Sequence, residues 1–283
     1  MTNKQKSVFF MILSVLGFSL MSVVIKYIPE IDIYEKIFFR NSVSFLISVY
    51  LITNKKLSLA IGKKNFSLVF LRSFFGFIGI YLNFYAITYL TIADSNILNR
   101  LSPIFVAIFA YIILKEKLDK IQILCIIFMI LGTILVIKPS FSVTFIPSLA
   151  GVLSAAFGGL SYTIIRYLNN KVHPDIIVFI FSLFSCVFSI PLMYSNFTLP
   201  NKIQFLFLLG IGLTASIGQF GLTYAYKYAK ASEVSIYNYT GILFGIILGF
   251  IFLNEIPDVY SVIGGSIIII TAISLYRHNK KIV

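Results

Sequence analysis

The sequence predicts an all-α polytopic membrane protein with ten transmembrane helices, arranged as two inverted five-helix repeats. Three observations lead to this prediction. Apolar residues make up 59% of the 283 positions and only 12% are charged, a composition too apolar for a soluble domain of this length. The apolar residues fall into spans close to the ~20 residues that a bilayer requires. The second half of the chain also repeats the first.

The predicted spans are continuous apolar runs between ordinary helix breakers, among them Pro29, Pro139, Pro174, Pro200 and Pro257. In chain order, the spans cover residues 8–28, 34–52, 66–88, 92–114, 119–138, 147–168, 174–194, 203–226, 233–253 and 259–276. The connections between them are short and leave no room for a separate soluble domain.

The internal repeat is clearest in the middle of each half, where the two copies align without gaps. Asn99 pairs with Asn238, and Glu116 pairs with Glu255 in the same register. A repeat with an odd number of spans enters the membrane in the opposite direction the second time. Because inverted repeats are common in secondary transporters, transport is the leading functional hypothesis.

Lysine and arginine are distributed unevenly between the two ends of the spans. With the N-terminus in the cytoplasm, sixteen of them lie inside, four lie outside and three lie within spans, which accounts for all 23. The positive-inside rule therefore predicts that both termini are cytoplasmic. The net charge of +13 follows from this topology. We expect a protein of the plasma membrane that contacts the lipid bilayer and binds no nucleic acid.

Matching motifs occur in the two halves. The first half contains Phe84-Tyr85-Ala86, Ala93-Asp94, Ser102-Pro103 and Leu114-Lys115-Glu116, and the second contains Tyr224-Ala225, Leu253-Asn254-Glu255 and Gly264-Gly265. With these motifs the chain resembles the EamA family of the drug/metabolite transporter superfamily over nearly its whole length. The second copy departs from the first in having Ile242 where the first has Pro103, so no proline predicts a bend in the ninth span.

The resemblance implies one EamA-like repeat over residues 1–138 and a second, inverted EamA-like repeat over residues 139–283. It also implies a central cavity walled mainly by spans 1, 3, 4, 6, 8 and 9. Members of the family resemble secondary carriers of amino acids, cofactor-like metabolites and other small organic compounds.

Arginines within spans are the main candidates for a binding site, because a charge at the centre of a span costs about 2.5–3.5 kcal/mol. Arg100 is expected to bind a carboxylate or another anionic group. Arg72 lies near the cytoplasmic end of its span, and its side chain could extend to the interface instead. For Arg40, a structural ion pair with Glu35 or Asp94 is the favoured interpretation.

Polar and aromatic side chains are predicted to surround the substrate together with the arginines. The full predicted set is Arg100, Asn99, Asn96, Asn238, Tyr237, Tyr239, Arg72, Asn83, Tyr81, Ser14, Tyr162 and Gln219. Helix packing and hydrogen bonds within or between helices are the alternatives for the uncharged members. Asp94 and its repeat mate Glu233 are the candidates for proton coupling, although carboxylates at the mouths of spans are usually only solvated.

Two other groups of residues are given structural roles. Glu116 and Glu255 are predicted to brace helix ends or loops. Five glycines of the third and ninth spans are predicted to allow close helix packing, namely Gly76, Gly79, Gly241, Gly245 and Gly249.

The sequence therefore predicts a secondary transporter that moves an amino acid or another zwitterionic or anionic metabolite by alternating access. No catalytic residue, metal site or cofactor is expected, since His173 and His278 lie outside the spans and Cys125 and Cys186 lie in separate ones. A membrane enzyme acting on lipid-linked substrates and a non-transporting scaffold are the alternatives. The identity of the substrate, the direction of transport and the coupling ion are left open. Short loops and a self-contained bundle are compatible with a working monomer.

Overall fold

The computed structural model describes residues 3–114, 120–137, 145–168, 171–194, 196–228 and 235–282. Within these residues the chain is helical, without strands. The α-helices are α1 (Asn3–Lys26), α2 (Ile33–Asn54), α3 (Lys63–Tyr89), α4 (Ile92–Asn99), α5 (Ser102–Leu114), α6 (Lys120–Ile137), α7 (Phe145–Leu168), α8 (Pro174–Met193), α9 (Lys202–Tyr228), α10 (Thr240–Leu253) and α11 (Val259–Ile282). A 3₁₀-helix over Ser235–Tyr239 leads directly into α10.

Helices long and apolar enough to cross a bilayer dominate the chain. Seven apolar stretches have this length, and they cover Asn3–Lys26, Ile33–Asn54, Lys63–Tyr89, Ile92–Ile113, Phe145–Ile165, Pro174–Met193 and Lys202–Tyr228. Three shorter apolar helices cover Ile123–Val136, Tyr237–Leu253 and Val259–Leu275. Large apolar side chains such as Leu46, Ile112 and Phe250 are more than half exposed, as expected of a surface that faces lipid. The chain is a multi-pass helical membrane protein, as predicted.

Side chains that accept hydrogen bonds from free backbone N–H groups mark several helix starts. Asp32 Oδ1 accepts from the Tyr34 N–H at 2.7 Å before α2, and Thr91 Oγ1 accepts from the Asp94 N–H at 3.1 Å before α4. At α8, Pro174 occupies the first helical position, where its missing N–H costs no helical hydrogen bond. These caps fix where the connections end.

The predicted fourth span is broken into two helices, α4 and α5, at Arg100 and Leu101. Pro103 has no N–H to donate to the carbonyl of Asn99, and its ring crowds the preceding turn. The Ser102 hydroxyl donates to that carbonyl instead, at 2.7 Å, so the freed oxygen keeps a partner. The break leaves the backbone at Arg100 outside both helices.

The predicted ninth span changes helix type at the equivalent place, although it has no proline there. The 3₁₀-helix contains Asn238 and ends at Tyr239, the repeat mate of Arg100. The Thr240 hydroxyl donates to the carbonyl of Tyr237 at 2.6 Å. Arg100 Nη1 donates to Asn238 Oδ1 at 2.7 Å and joins the two interrupted segments.

The helices pack in specific pairs. The most extensive pairings are α1 with α9, α3 with α7, α2 with α8, and α6 with α11. Further pairings join α2 to α9, α3 to α8, α5 to α7, α1 to α10 and α4 to α10. Elements far apart in the sequence are thus interleaved, and the first half of the chain packs mainly on the second.

Glycines let several of these pairs approach closely. A Cβ on Gly79 in α3 would lie 3.4 Å from the Gly158 nitrogen in α7, and one on Gly132 in α6 would lie 2.9 Å from the Gly264 oxygen in α11. Such contacts need small residues on both helices. The predicted packing role of Gly79 therefore has a structural counterpart.

Two charged clusters lie at opposite ends of the bundle. We call the first the Lys26–Glu255 cluster: Lys26 Nζ donates to Glu255 Oε1 at 2.8 Å, and the Ile92 N–H donates to Glu255 Oε2 at 2.6 Å. The Tyr27 hydroxyl donates to the carbonyl of Phe252 at 2.8 Å beside it. Glu255 thus braces the loop after α10 against the ends of α1 and α4. Its repeat mate Glu116 lies outside the described residues.

The second, the Lys55–Asp175 cluster, joins the end of α2 to the start of α8 and to α9. Lys55 Nζ donates to Asp175 Oδ2 at 2.7 Å, and the Tyr224 hydroxyl donates to Asp175 Oδ1 at 2.8 Å. Burial lowers the pKa of His173, against the opposing pull of the Asp175 carboxylate. The neutral imidazole accepts from the Asp175 N–H through Nδ1 at 3.3 Å.

Candidate functional site

A cavity of about 80 Å³ lies between α1, α2, α3, α4, α5, α7, α8 and α9. Its charged and polar lining consists of Ser22, Arg40, Arg72, Asn83, Ser95, Asn96, Asn99, Arg100, Ser102, Ser154, Ser161, Tyr162 and Gln219. Phe18, Met21, Ile80, Phe84, Ile87 and Phe181 supply its apolar lining. Polar and apolar groups therefore face the same space, as in sites for small organic molecules.

Three arginines line this cavity, and all are buried in the protein. Arg40, Arg72 and Arg100 retain 3%, 2% and 5% of their exposed surface. No acidic residue lines the cavity in the part of the chain that the structure describes. Three positive charges thus face one cavity with no carboxylate among its described lining residues.

Arg100 lies in the break between α4 and α5 and is held there by the 3₁₀-helix and the start of α10. Its Nη1 donates to Asn238 Oδ1 in the 3₁₀-helix, and its guanidinium lies against Gly241 at the start of α10. Any Cβ at Gly241 would overlap the guanidinium, so only glycine leaves room for this orientation. The Arg100 Nε–H has no hydrogen-bond partner among the described residues.

Arg72 and Arg40 share one aromatic ring on α8. The Arg72 guanidinium carbon lies 3.8 Å from the centroid of the Phe181 ring, and that of Arg40 lies 5.9 Å from it. Arg40 Nη1 donates to Asn41 Oδ1 at 2.9 Å. Cation–π contacts hold both side chains in place but neutralise neither charge.

Several arginine N–H groups remain unpaired. Arg40 Nε, Arg72 Nε and Nη1, and Arg100 Nε are buried without a partner in the described part of the chain. An unpaired buried donor costs about 1–3 kcal/mol, and more when it is charged. Native proteins rarely leave such groups unsatisfied without a functional reason. The arrangement therefore suits an anionic ligand that would accept these hydrogen bonds.

Uncharged polar groups connect α3, α4 and α7 beside the arginines. Asn99 Nδ2 donates to Asn83 Oδ1 at 3.0 Å and lies 3.5 Å from Ser154 Oγ. Ser154 in turn donates to the carbonyl of Gly79 at 2.8 Å. These amides and hydroxyls can both donate and accept, which allows them to orient polar groups of different kinds.

The structure brings seven of the twelve predicted binding residues to the cavity. They are Arg72, Asn83, Asn96, Asn99, Arg100, Tyr162 and Gln219. The predicted alternative for Arg72, extension to the interface, does not occur. Its helix begins at Lys63 rather than at residue 66, which places Arg72 further from the helix end, and its guanidinium turns inward onto Phe181.

The other five predicted residues lie outside the cavity lining. Asn238 accepts a hydrogen bond from Arg100 Nη1 but does not line the cavity. Ser14 donates to the carbonyl of Gly218 at 2.6 Å between α1 and α9. Tyr81 stacks on Tyr34 at 4.9 Å between ring centroids. Tyr237 and Tyr239 pack in apolar clusters with other helices.

The two candidates for proton coupling are placed differently. Asp94 lies in the first turn of α4, next to the cavity residues Ser95 and Asn96, and it accepts a short hydrogen bond from the Ser261 hydroxyl of α11. Glu233 lies outside the described residues.

Arg40 and Phe181 are among the cavity residues that sequence reasoning did not assign to the site. Arg40 was assigned to an ion pair, but no ion pair joins it to Glu35 or Asp94 among the described residues. The signal was present, because Arg40 is as deep in an apolar span as the other two arginines. Phe181 gave no signal, since the sequence holds 29 phenylalanines and nothing local distinguishes this one.

Glycines of the ninth span, predicted to serve packing, lie against the site. Gly241 faces the Arg100 side chain and Gly245 faces Asn96 Nδ2, so α10 packs closely on α4 at the residues that line the cavity. Within the described residues, no group of three or more His, Cys, Asp or Glu side chains could hold a metal ion.

Comparison with protein families gives one match across both halves of the chain. The model of the EamA-like transporter family matches residues 5–138 and again residues 145–277. The same family model thus matches the chain twice, once in each half.

Individual relatives are transporters as well. The pseudopaline exporter CntI of Pseudomonas aeruginosa (strain PAO1) is 30% identical over 279 residues, which cover 98% of each chain. Human solute carrier family 35 member G1 is 27% identical over 280 residues, which cover 93% of this chain and 76% of the carrier. A crystal structure that shares 14% identity superposes with a TM-score of 0.71 over 94% of each chain and supports the fold.

Proposed function

Because the chain belongs to the EamA-like transporter family, we propose that it is a secondary transporter that carries a small anionic or zwitterionic metabolite across the plasma membrane by alternating access. Its family is a transporter family and its relatives are named as transporters. The chain is likewise a membrane transporter and not an enzyme. The cavity with three buried arginines and no acidic lining residue among those described carries the proposal about the substrate.

The architecture in this proposal is ten membrane spans in two inverted repeats, residues 1–138 and 139–283. The helix pairing supports it, because exchanging each helix for its repeat mate converts the α1–α9 pair into the α7–α3 pair. The same exchange returns the α2–α8 and α6–α11 pairs to themselves. The interruptions at Arg100 and Tyr239 also occupy mated positions, as in transporters whose broken helices bind substrate near the membrane centre.

In the proposed mechanism the two halves rock about the cavity and expose it to one side of the membrane at a time. Arg100 binds an anionic group of the substrate, and Asn96, Asn99 and Asn83 orient its polar atoms. Tyr162 and Gln219 supply further polar groups of the lining, and Asn238 holds Arg100 in position without touching the substrate. Both termini lie in the cytoplasm, and a single chain suffices for transport.

The relatives support a proposal about the direction of transport and the kind of compound transported. The match to an exporter of pseudopaline over 98% of each chain makes export of an organic metabolite the form of transport that we propose.

Asp94 is the proposed proton site, with Glu233 as its counterpart in the second repeat. If Asp94 takes up a proton in each cycle, Asp94→Asn should abolish the pH dependence of transport. A transport rate of the wild type that does not change with pH would remove Asp94 from the mechanism.

The experiment that tests the proposed function is a thermal-stability screen of the purified protein against amino acids, nucleotides and cofactor-like metabolites. A ligand that binds only the folded state at 100 times its Kd stabilises it by about 2.7 kcal/mol. We expect stabilisation by one anionic or zwitterionic class, and its loss in Arg100→Ala. Arg277→Ala is the matched control, because Arg277 is exposed near the end of α11. An equal shift in wild type and Arg100→Ala would contradict the proposed site.

A further inference from the structure

We propose that the substrate carries at least two separated anionic groups, one bound by Arg100 and the other by Arg72 together with Arg40. This inference rests on the proposed transport function and specifies the substrate class of the same cavity. The observation behind it is that two different sets of residues hold the three arginines: Phe181 contacts Arg72 and Arg40, whereas Asn238 and Gly241 contact Arg100.

The first anion site is built around Phe181. Arg72 and Arg40 reach its ring from two different helices, α3 and α2, with distances of 3.8 and 5.9 Å from guanidinium carbon to ring centroid. Arg72 is close enough to Arg40 to be repelled by it, since neither charge has an acidic partner among the described residues. Arg72 Nε and Nη1 and Arg40 Nε are buried without hydrogen-bond partners. One carboxylate could accept from both side chains and would relieve their repulsion.

The second anion site is built around Arg100. Asn238 and Gly241 of the ninth span fix its guanidinium, whereas α8 and Phe181 hold the first site. The Arg100 Nε–H is likewise buried without a partner among the described residues. Different elements hold the two sites, so a single carboxylate would leave one of them unpaired.

Between the two sites the cavity offers a mixed surface. Tyr162 lies within electrostatic reach of all three guanidinium groups, and Phe84 and Ile87 line the wall beside Asn83. A molecule that fits both sites therefore has two anionic ends and a partly apolar connection. A single anion would leave two of the three buried positive charges without a counter-ion and two anions would leave one, which is less unfavourable because burial weakens screening.

The test compares matched ligands with two, one and no negative charges. The series is the straight-chain dicarboxylates from malonate to suberate, the amide acid of each, and the neutral diamide of each. Dissociation constants are measured on the purified full chain from the ligand dependence of its thermal stability. We expect at least one dicarboxylate to bind about tenfold or more tightly than its own amide acid, and the diamides not to bind.

Variants of each site keep the result interpretable. Arg100→Gln and Arg72→Gln should each reduce the preference for the dicarboxylate over its amide acid to less than about threefold, while Arg277→Gln should leave it unchanged. Arg72→Lys and Arg100→Lys retain the charge, so they should keep the preference with weaker binding even where a Gln variant fails to fold.

The outcomes distinguish a failure of the two-site inference from a failure of the proposed transport function. If no dicarboxylate binds more tightly than its amide acid, or none binds, the two-site inference is wrong. If liposomes containing the protein still exchange a monoanion or a zwitterion in an Arg100-dependent way, the proposed function survives that failure. If they exchange no metabolite of any charge, the proposed function fails too.

Discussion

At the scale of single residues, the main feature of the protein is charge that is buried without a counter-ion. Arg72 is 2% exposed and faces an aromatic ring, and two of its N–H groups lack partners among the described residues. Such a residue lowers the stability of the empty protein and is retained when a ligand supplies the missing partner. Stability and binding should therefore respond in opposite directions when the arginine is removed.

Replacing Arg72 by methionine should stabilise the ligand-free protein. Methionine fills similar space without a charge or unpaired donors, so the free energy of unfolding should stay equal or rise by about 1–3 kcal/mol. Ligand-induced stabilisation should disappear. Thermal unfolding in detergent measures both quantities, and Arg277→Met should change the first by no more than about 0.5 kcal/mol. Clear destabilisation by Arg72→Met would show that this arginine holds the fold together.

Asn238→Asp tests the role of Arg100 without removing it. The new carboxylate would lie where Asn238 Oδ1 now accepts from Arg100 Nη1 at 2.7 Å, and it would occupy the guanidinium as an internal anion. We expect anionic substrates to bind at least about tenfold more weakly while the protein stays folded.

Asn201→Asp is the control for this variant, because exposed Asn201 caps α9 and asparagine and aspartate cap helices about equally well. Unchanged substrate binding in Asn238→Asp would show that Arg100 does not face the substrate anion.

Sequence reasoning identified part of the site at this scale. Arg100, Asn96 and Asn99 could be found because a charged or amide side chain within an apolar span is unusual by itself. Phe181 could not, since its role depends on the distance from α8 to two other helices. Ser14 was also predicted to contact the substrate, but whether a serine within an apolar span meets a cavity or another backbone depends on helix packing.

At the scale of elements, the interruption between α4 and α5 and the 3₁₀-helix before α10 position the site. Arg100 lies in the break between α4 and α5, and Asn238 lies in the 3₁₀-helix before α10. The proline of the first copy predicts the first interruption, but the second arises without one. The predicted span boundaries followed from continuous apolar runs and helix breakers, whereas the helix type at Tyr239 depends on contacts with α4 that the sequence does not reveal.

Gly241→Ala should move Arg100 while leaving the helices in place. Its Cβ would overlap the Arg100 guanidinium, and a flexible side chain gives way more easily than a helix. Alanine also favours a helix interior by up to about 1 kcal/mol relative to glycine, so α10 should persist. We expect transport to fall more than about tenfold with normal thermal stability, because a small displacement of a charged group weakens its bonds strongly.

Gly210→Ala in α9 is the matched control, since its Cβ would meet nothing closer than Val24 Cγ1 at 3.6 Å. Loss of transport in both variants, or in neither, would show that Gly241 does not act by positioning Arg100.

At the scale of the whole molecule, the two charged clusters lie at opposite ends of the bundle and tie together helices from both halves. The Lys26–Glu255 cluster joins α1 and α4 to the loop after α10, and the Lys55–Asp175 cluster joins α2 to α8 and α9. Alternating access requires contacts at one end to break while those at the other persist. Weakening one cluster should therefore open the cavity at that end.

Glu255→Gln should increase access to the cavity from outside. The reporter is Ser22→Cys, a cavity position, in a chain with Cys125→Ala and Cys186→Ala. A membrane-impermeant maleimide should alkylate it roughly fivefold faster when Glu255 loses its charge, the effect of about 1 kcal/mol on a two-state equilibrium. Asp175→Asn, at the other cluster, should slow the reaction. The same change of rate in both variants would contradict an arrangement of two opposed gates.

Selection and transport of an anionic metabolite are the functions expected of the three-arginine cavity. Their most direct test loads liposomes containing the protein with a mixture of natural metabolites and identifies by mass spectrometry the compounds that leave. We predict that liposomes with wild type or Arg277→Met release the same few compounds, and that these compounds carry two or more carboxylate groups. Liposomes with Arg100→Met should keep these compounds inside. Release of only neutral or cationic compounds, or undiminished release by Arg100→Met, would contradict this expectation.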